Sequence, residues 1–425
     1  MNKKIIVCLC LLAVTSCLAL AQDSSNVRTV GSYSTSGTCY ALTYAAIGGQ
    51  DYVFIGFAWF LRIINVTNPA LPVEEGHVDT KGRIYGIVVE DSFAYVANDT
   101  SGLRIIDIRN LSAPTEVGFY NPNVGLAYDV DVADSLVYLA YEGSLRIINA
   151  SNPASPYERS FYYTPAYSCH DVVVSGNYAY VADGDSGLQI INISNPSNPR
   201  KAGHYKSSGY AYGVAIANNY AYVADGNNGL GIIDISDTAN PFEKGRCNTP
   251  GSAHSVSVSG NFAYVADGDS GLRVISISDI ANPIEVGYYC NQNFGNAYYS
   301  VSQSNGVIYA TNWLGALRIY EGYGPAGVAN DQVHAENLKS NYLKLRAYGN
   351  TIEYSLPYSG ITSIKIYNLL GQEVRSLLNE DVAAGQHSII WNDRDTGNSK
   401  VSSGVYIVQL QSGSQTASAK MIVVR

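Results

Sequence analysis

The stretch that decides the fold is Ala-Tyr-Val-Ala-Asp-Gly-Asp-Ser-Gly-Leu-Gln-Ile-Ile-Asn-Ile-Ser at 179–194, because it recurs along the chain with small changes. Self-similarity at a period of roughly 20 to 50 residues is typical of repeat architectures. With the leucine after the glycine as the anchor, the copies fall at Leu61, Leu103, Leu145, Leu188, Leu230, Leu272 and Leu317. Seven copies at one spacing predict seven equivalent structural units.

Each copy is predicted to contain four short strands. In the fifth copy the strands are expected at 212–217, 220–224, 230–236 and 242–248. Asn218-Asn219 supplies a tight turn, and the glycines of 225–229 can adopt positive φ between the second and third strands. Pro241 ends the third strand, since proline cannot donate to a strand ladder. Because no segment here shows a helical period, a parallel α/β sheet is excluded, and an all-β, seven-bladed β-propeller is predicted.

The two ends of the repeat region predict how the last blade is completed. The seventh copy stops after 317–322 and has no fourth strand. Residues 27–33 match the fourth strand of the sixth copy at 283–289, yet they precede the first copy. We therefore expect the N-terminal strand to close the last blade, which also removes an open sheet edge.

These repeats resemble a known family, the LVIVD repeat. Leu-Arg-Ile-Ile-Asp at 103–107 is similar to the Leu-Val-Ile-Val-Asp core for which the repeat is named, and the resemblance covers roughly 27–322. It implies a propeller on bacterial and archaeal surface proteins, and it implies no agreed activity or catalytic residues. The first and seventh copies depart most from the pattern, with 57–60 and 312–315 replacing the Asp-Gly turn.

The N-terminal residues 1–21 have the pattern of a signal peptide. A short basic region precedes an apolar stretch at 5–14 that is too short to span a bilayer, and Ala19 and Ala21 then supply small residues at the positions that a signal peptidase needs. Val-Thr-Ser-Cys at 14–17 also resembles a lipobox, so lipidation of Cys17 is the alternative to simple cleavage. No other segment is long and apolar enough for a transmembrane helix. The propeller is therefore assigned to 22–322 of an exported, soluble chain.

Composition excludes some partners. The formal net charge is −9, and the basic residues are scattered, which argues against nucleic acid and against a basic membrane-binding surface. An exported chain is in a compartment that permits disulfides. Four cysteines outside the leader allow three pairings, and unpaired thiols are the alternative. They are Cys39, Cys169, Cys247 and Cys290.

The C-terminal region 337–425 follows a Gly- and Ala-rich linker at 323–336 and lacks the 42-residue period. Seven short alternating segments in this region predict an immunoglobulin- or fibronectin-like β-sandwich. Segments 366–374, 385–387, 403–406 and 420–425, together with Trp391, resemble a type IX secretion sorting domain of type A. The FlgD-type immunoglobulin-like domain shares part of this pattern. The resemblance implies secretion or surface display through the export machinery, and an accessory sandwich without an export role is the alternative.

A ring of aromatic residues is the first candidate site. Ten residues before the second-strand tyrosine, copies two to seven carry Tyr or His, and Tyr40 is the equivalent in the first copy if its first turn is two residues longer. The first strand of a propeller blade is innermost. The predicted ring around the channel comprises Tyr40, Tyr85, Tyr128, His170, Tyr212, His254 and Tyr299. Packing between blades is the alternative role for these rings. Trp59 and Trp313, in equivalent loops of adjacent blades, are predicted to lie side by side on the same face.

The Asp-Gly-Asp-Ser-Gly loops at 183–187 and 267–271 are the second candidate site. Their spacing resembles part of a calcium loop, but the later acidic ligand of an EF-hand is missing. The alternative is that Asp and Gly are present because a tight hairpin turn requires these residues. The metal candidates are Asp183, Asp185, Asp267 and Asp269, and no other cofactor is indicated.

Three functions remain open at this level. The sequence contains no nucleophile elbow, zinc-protease motif, phosphate loop or dinucleotide fingerprint. This favours an extracellular binding module that uses the propeller as a platform for a glycan or protein. The alternatives are an extracellular glycan-active hydrolase or lyase at the channel mouth and a structural surface component, because a propeller by itself does not define a function.

Overall fold

A computed structural model describes residues 24–25, 27–34, 37–123, 125–290, 298–304, 306–312, 315–322, 344–348, 351–356, 359–368, 371–383, 385–397, 399–412 and 415–423. The predicted signal peptide, the linker and Trp313 lie outside the described residues. The described residues fall into two compact units, one on each side of Gly327. Within them every regular element is a β-strand, and no helix is long and apolar enough to cross a bilayer.

The first unit is a seven-bladed β-propeller in which each blade has four antiparallel strands, and the sheet of blade 6 gains a short fifth strand at its outer edge. Blade 1 contains the strands Cys39–Ile47, Gln50–Phe57, Phe60–Asn65 and Val73–Asp79. Blade 2 contains Gly86–Glu90, Phe93–Ala97, Leu103–Asp107 and Thr115–Tyr120. Blade 3 contains Ala127–Ala133, Leu136–Tyr141, Ser144–Asn149 and Tyr157–Tyr163.

Blades 4 to 7 continue the pattern. Blade 4 contains Asp171–Ser175, Tyr178–Ala182, Leu188–Asn192 and Arg200–Tyr205, and blade 5 contains Gly213–Ala217, Tyr220–Ala224, Leu230–Asp234 and Phe242–Cys247. Blade 6 contains Ser255–Ser259, Phe262–Ala266, Leu272–Ser276 and Ile284–Tyr289. The first three strands of blade 7 are Tyr298–Ser304, Val307–Asn312 and Ala316–Gly322. The strand boundaries predicted for the fifth copy therefore agree with blade 5 to within two residues.

The N-terminal strand supplies the missing fourth strand of blade 7. Val27–Ser34 pairs antiparallel with Ala316–Gly322, in the register Val27↔Gly322 to Ser34↔Ala316. The short strand Ser24–Ser25 pairs in turn with Tyr288 and Tyr289 at the outer edge of blade 6. The N-terminal segment thus joins two blades, whereas the sequence predicted its pairing with only one.

The hydrophobic core lies between the blades. Each pair of neighbouring blades shares a cluster of buried side chains, because alternate residues of the central strands face opposite sides of their sheet. Cys39 and Phe57 of blade 1 share such a cluster with Tyr309 and Leu317 of blade 7. The first strands of successive blades also contact one another, including Tyr298–Ser304 with Cys39–Ile47. These contacts place the first strands innermost, as the sequence predicts.

A second contact between blades is made by the backbone. The pairing of the third and fourth strands is interrupted by a bulge in every blade. Beside this bulge, Gly118 of blade 2 lies so close to blade 3 that an added Cβ would be 2.0 Å from the carbonyl oxygen of Pro153. Gly31, Gly76, Gly203 and Gly245 make equivalent approaches to the next blade. In blade 3, Ser160 occupies this position and donates its hydroxyl to the carbonyl of Pro196 at 2.5 Å.

The cysteines of the propeller serve as small side chains in this packing. Cys39 and Cys169 are fully buried, Cys247 is largely buried, and Cys290 is partly exposed. In the described part of the chain these four thiols form no disulfide. Burial raises the pKa of Cys39 to about 12, so its thiolate is strongly disfavoured.

The second unit is a sandwich of two antiparallel sheets. One sheet contains Lys344–Tyr348, Thr351–Leu356 and Gly385–Ile390, and the other contains Glu373–Val382, Gly360–Asn368, Gly404–Ser412 and Gln415–Val423. Trp391 is fully buried between them, donates its ring N–H to the Arg394 carbonyl at 2.9 Å and packs edge-on against Tyr406. This agrees with the predicted β-sandwich.

Candidate functional site

One face of the propeller combines two kinds of loop. The loop between the second and third strands of a blade pairs through its backbone with the connection that enters the next blade, at Gly184↔Ala211 and Gly226↔Ala253. Because Tyr212 and His254 directly follow these alanines, the loops and the start of each innermost strand lie together. This arrangement places the two sets of candidate residues on the same face.

The aromatic residues of the innermost strands contact one another in sequence around this face. Ring centroids are separated by 5.1 Å for Tyr40–Tyr85, 5.9 Å for Tyr85–Tyr128, 5.0 Å for Tyr128–His170, 5.5 Å for His170–Tyr212 and 4.7 Å for Tyr212–His254. All these separations fall in the range of direct aromatic contact. We call this set the aromatic chain; it joins six of the seven predicted ring residues.

Tyr210 is an additional aromatic residue that the sequence alignment missed. Its ring lies 4.7 Å from Tyr212 and 5.3 Å from His170, and its hydroxyl is 2.8 Å from His170 Nε2. It also covers Gly184, where a Cβ would be 2.8 Å from the tyrosine ring. The sequence did contain a sign of this residue, because Tyr210 lies two residues before the ring position of its copy. None of the other described connections between blades has a tyrosine at that position.

A shallow polar pocket opens beside Tyr210 and Tyr212. It encloses about 300 Å³ and is lined by these two rings together with Ser208, Asn227, Asn228 and Ser252. Asn228 donates to the Ser208 hydroxyl at 3.3 Å, which links the blade 5 loop to the connection from blade 4. Aromatic faces and hydroxyl or amide groups therefore meet in one cavity.

The two histidines of the aromatic chain are electrically neutral at physiological pH. Burial disfavours the imidazolium and lowers the pKa of His170 to about 4, and the neighbouring His254 adds to this effect. Burial also lowers the pKa of His254, while the nearby Asp269 carboxylate opposes the shift. The chain thus offers neutral rings to a ligand.

The Asp-Gly loops separate their two carboxylates. Asp183 is fully buried and accepts the backbone N–H of Ala166 at 3.1 Å, and Asp267 is likewise buried and accepts the N–H of Gly251 at 2.9 Å. Asp185 and Asp269 are exposed. The first aspartate therefore holds the adjoining connection in place, and the second faces solvent.

The Asp-Gly loops were candidates for binding calcium. Among the described residues, no group of three or more His, Cys, Asp or Glu side chains is placed to hold a metal ion. Gly226 in the equivalent loop of blade 5 has a φ of +56° and lies against the Tyr212 ring, so glycine serves both the turn and the close packing of that ring. Asp183 and Asp267 thus have a structural role in holding the adjoining connections, whereas Asp185 and Asp269 face solvent, and a metal role for these four residues stays a prediction.

The remaining candidates are only partly described. Trp59 is 61% exposed on its loop, and its carbonyl accepts the N–H of Thr80 at 2.8 Å. The backbone of Tyr299 lies in the strand Tyr298–Ser304, but its side chain is outside the described residues. Trp313 is outside them as well, so the pairing of Trp59 with Trp313 stays a prediction.

Carboxylates behind the aromatic chain connect the innermost strands of blades 3, 4 and 5. Asp129 accepts the backbone N–H of Val172 at 3.1 Å, and Asp171 accepts that of Val214 at 2.7 Å. Burial, reinforced by the facing Asp171 carboxylate, raises the pKa of Asp129 well above its usual range, and burial also raises the pKa of Asp171. Each of these residues directly follows a residue of the aromatic chain in the sequence, but no sequence pattern indicates that they bridge neighbouring blades.

Comparison with protein families identifies both units. The LVIVD repeat matches residues 47–80, 81–122, 124–164, 168–207, 208–249 and 250–291, and the secretion system C-terminal sorting domain matches 349–424. The FlgD-type alternative is not needed to explain the C-terminal unit. The sorting domain indicates export to the cell surface or secretion through the type IX system. The seventh repeat lies beyond the family matches, yet it forms a blade like the others.

Comparison with known proteins beyond the family shows only the fold. A chain from the crystal structure of the mitotic checkpoint complex is similar over 76% of this chain and 100% of its own length, with a TM-score of 0.58 and 10% identity. The computationally designed Ika8 protein is similar over 69% of this chain and 99% of its own, with a TM-score of 0.50 and 9% identity. Nothing among curated proteins matches the sequence.

Proposed function

Starting from a chain that belongs to the LVIVD repeat family and ends in a type IX sorting domain, we propose that the exported propeller is a glycan-binding module. The ligand occupies the face that carries the aromatic chain. Its main contact site is the pocket lined by Tyr210 and Tyr212. The C-terminal domain serves delivery and surface attachment.

The observation that carries this proposal is the composition of the pocket. Sugar rings present apolar C–H faces that pack on aromatic rings, and hydroxyl groups that require hydrogen-bond partners. Tyr210 and Tyr212 supply the first, while Asn227, Asn228 and Ser252 supply the second. The aromatic chain extends this surface toward Tyr128, which suits a ligand longer than one sugar unit.

A glycan array followed by calorimetric titration tests the proposal. The chain with Tyr212→Ala is expected to bind its best glycan about tenfold more weakly than the unmodified chain, since a stacked ring is removed without opening the core. Tyr157→Ala is the matched control, because Tyr157 is 58% exposed on the outer strand of blade 3, away from the aromatic chain. Undiminished affinity in a folded Tyr212→Ala variant would place the ligand elsewhere. The double variant Trp59→Ala and Trp313→Ala tests in the same way whether the predicted tryptophan pair extends the site.

Surface attachment is tested separately in a host with type IX secretion. Removal of 337–425 is expected to leave a folded propeller in the periplasm, because the domain that the export machinery recognises is missing. Fractionation with immunoblotting and protease accessibility of intact cells measure this. Normal display of the truncated chain would show that the domain is dispensable.

A further inference from the structure

The pocket lies between two exposed carboxylates. Asp185, Asn227 and Asp269 occupy the same loop position in blades 4, 5 and 6, and the pocket is centred on the middle blade. Asp185 acts electrostatically on Tyr212, and Asp269 acts on His254, whose ring is 4.7 Å from Tyr212. Negative charge therefore flanks the stacked rings on both sides.

These carboxylates have no positively charged partner in the described part of the chain. Asp225 of blade 5 is buried and bound by Arg246 at 2.8 Å, whereas neither Asp185 nor Asp269 forms an ion pair with a described lysine or arginine. Lys206 is the one cation of the connection that leads to the pocket, and it pairs with neither carboxylate. An unneutralised pair of charges beside a binding surface favours a ligand of opposite sign.

The rings reinforce this preference for a cation. Tyrosine faces carry negative quadrupolar potential and attract ammonium groups. Tyr210 and Tyr212 lie 4.7 Å apart at the pocket, and the adjacent His170, which is hydrogen-bonded to Tyr210, contributes no positive charge when neutral. Rings, hydroxyls and flanking carboxylates together match a sugar that bears an amino group.

We propose that this pocket selects glycans with free amino groups, with the ammonium held against Tyr210 and Tyr212 and near Asp185 and Asp269. This inference deepens the proposed glycan-binding function and depends on it. The aromatic pair and the cavity form the site, and the carboxylates determine which glycans it prefers.

A pair of ligands that differ only in charge tests the inference. A glucosamine hexamer and an N-acetylglucosamine hexamer are titrated into the full chain by calorimetry, at a pH where the free amines are protonated. The glucosamine hexamer is expected to bind about tenfold more tightly, with a preference that falls as salt is added. The double variant Asp185→Asn and Asp269→Asn is expected to bind both hexamers about equally, while Asp134→Asn, an exposed turn residue of blade 3, retains the preference.

The outcomes separate the two proposals. Equal affinities in the unmodified chain, or a preference that survives in the double variant, would overturn the amino-sugar inference. If the two hexamers bind the unmodified chain equally and both lose affinity in Tyr212→Ala, glycan binding stands while its charge selection fails. If no arm of the hexamer titration and no glycan on the array binds, both proposals fall.

Discussion

The N-terminal strand offers the most direct test of how the propeller holds together. A chain that begins at Thr35 lacks the seven residue pairs between Val27–Ser34 and Ala316–Gly322. At about 1 kcal/mol for each backbone hydrogen bond, this pairing contributes on the order of 5 kcal/mol. Val27 is 5% exposed within the cluster shared by blades 6 and 7, and its burial adds about 2 kcal/mol. The loss is comparable to the whole stability of a typical domain.

We therefore expect the shortened chain to melt more than about 10 °C below a chain that begins at Ser24, or to aggregate through the exposed edge of Ala316–Gly322. Circular dichroism melting and size-exclusion chromatography measure the two outcomes. A chain that begins at Val27 is the matched control, since it loses only the two pairs made by Ser24 and Ser25. A synthetic peptide of residues 24–36 should restore much of the lost stability in trans. Melting within about two degrees of the chain that begins at Ser24, without aggregation, would refute the reasoning.

Three further predictions concern the interior of the propeller. Because the pKa of Asp129 is raised on folding, the unfolding free energy should fall as pH rises from the ordinary carboxyl range through the raised value. Asp129→Asn should make that slope shallower, with the remainder due to other buried carboxyls such as Asp171, and should stabilise the protein at neutral pH in denaturant titrations; a slope as steep as that of the unmodified chain would contradict this. Gly118→Ala should lower the unfolding free energy by about 1 to 3 kcal/mol, because the added Cβ meets the Pro153 carbonyl. Gly231→Ala should lower it less, because its nearest neighbour is a flexible side chain 3.3 Å away, and equal losses of stability would show that the backbone contact is unimportant. Iodoacetamide should label the partly exposed Cys290 before the other described cysteines, as read by peptide mass spectrometry, and uniform labelling of the native protein would argue against their burial.

The spacing of the repeats and the incomplete copy at the end of the repeat region were sufficient to predict the propeller from the sequence. The same alternating strand pattern recurs in the seven copies, so each copy supports the strand assignment of the others. The segment 27–33, which precedes the first copy but resembles a fourth strand, identified the strand that completes blade 7. The alignment also brought Tyr40 through His254 to one surface, because equivalent positions in a propeller lie at equivalent radii.

The sequence could not predict features that depend on two blades at once. Tyr210 lies in a connection rather than a strand, and only its packing across Gly184 and its contact with His170 bring it into the aromatic chain. The hydrogen bond from Val172 to Asp129 likewise joins residues more than forty positions apart. Such pairings arise from the angle between sheets, which no local pattern encodes. The Asp-Gly-Asp motif is compatible with both a hairpin and a cation loop, because the two use the same residue types, so the sequence alone does not separate these roles.

The close approach of Gly118 to the Pro153 carbonyl also bears on how a protein of this kind grows. Blades 1, 2, 4 and 5 each carry both halves of the contact, a glycine in the outer strand and a carbonyl in the turn before that strand. A duplicated repeat would thus dock on its neighbours at once, with no new side chains required. Ser160, which reaches Pro196 through its hydroxyl, shows that one junction can change its chemistry while the others stay fixed. Selection can then alter the loops of a single blade, and so the ligand, without changing how the blades dock.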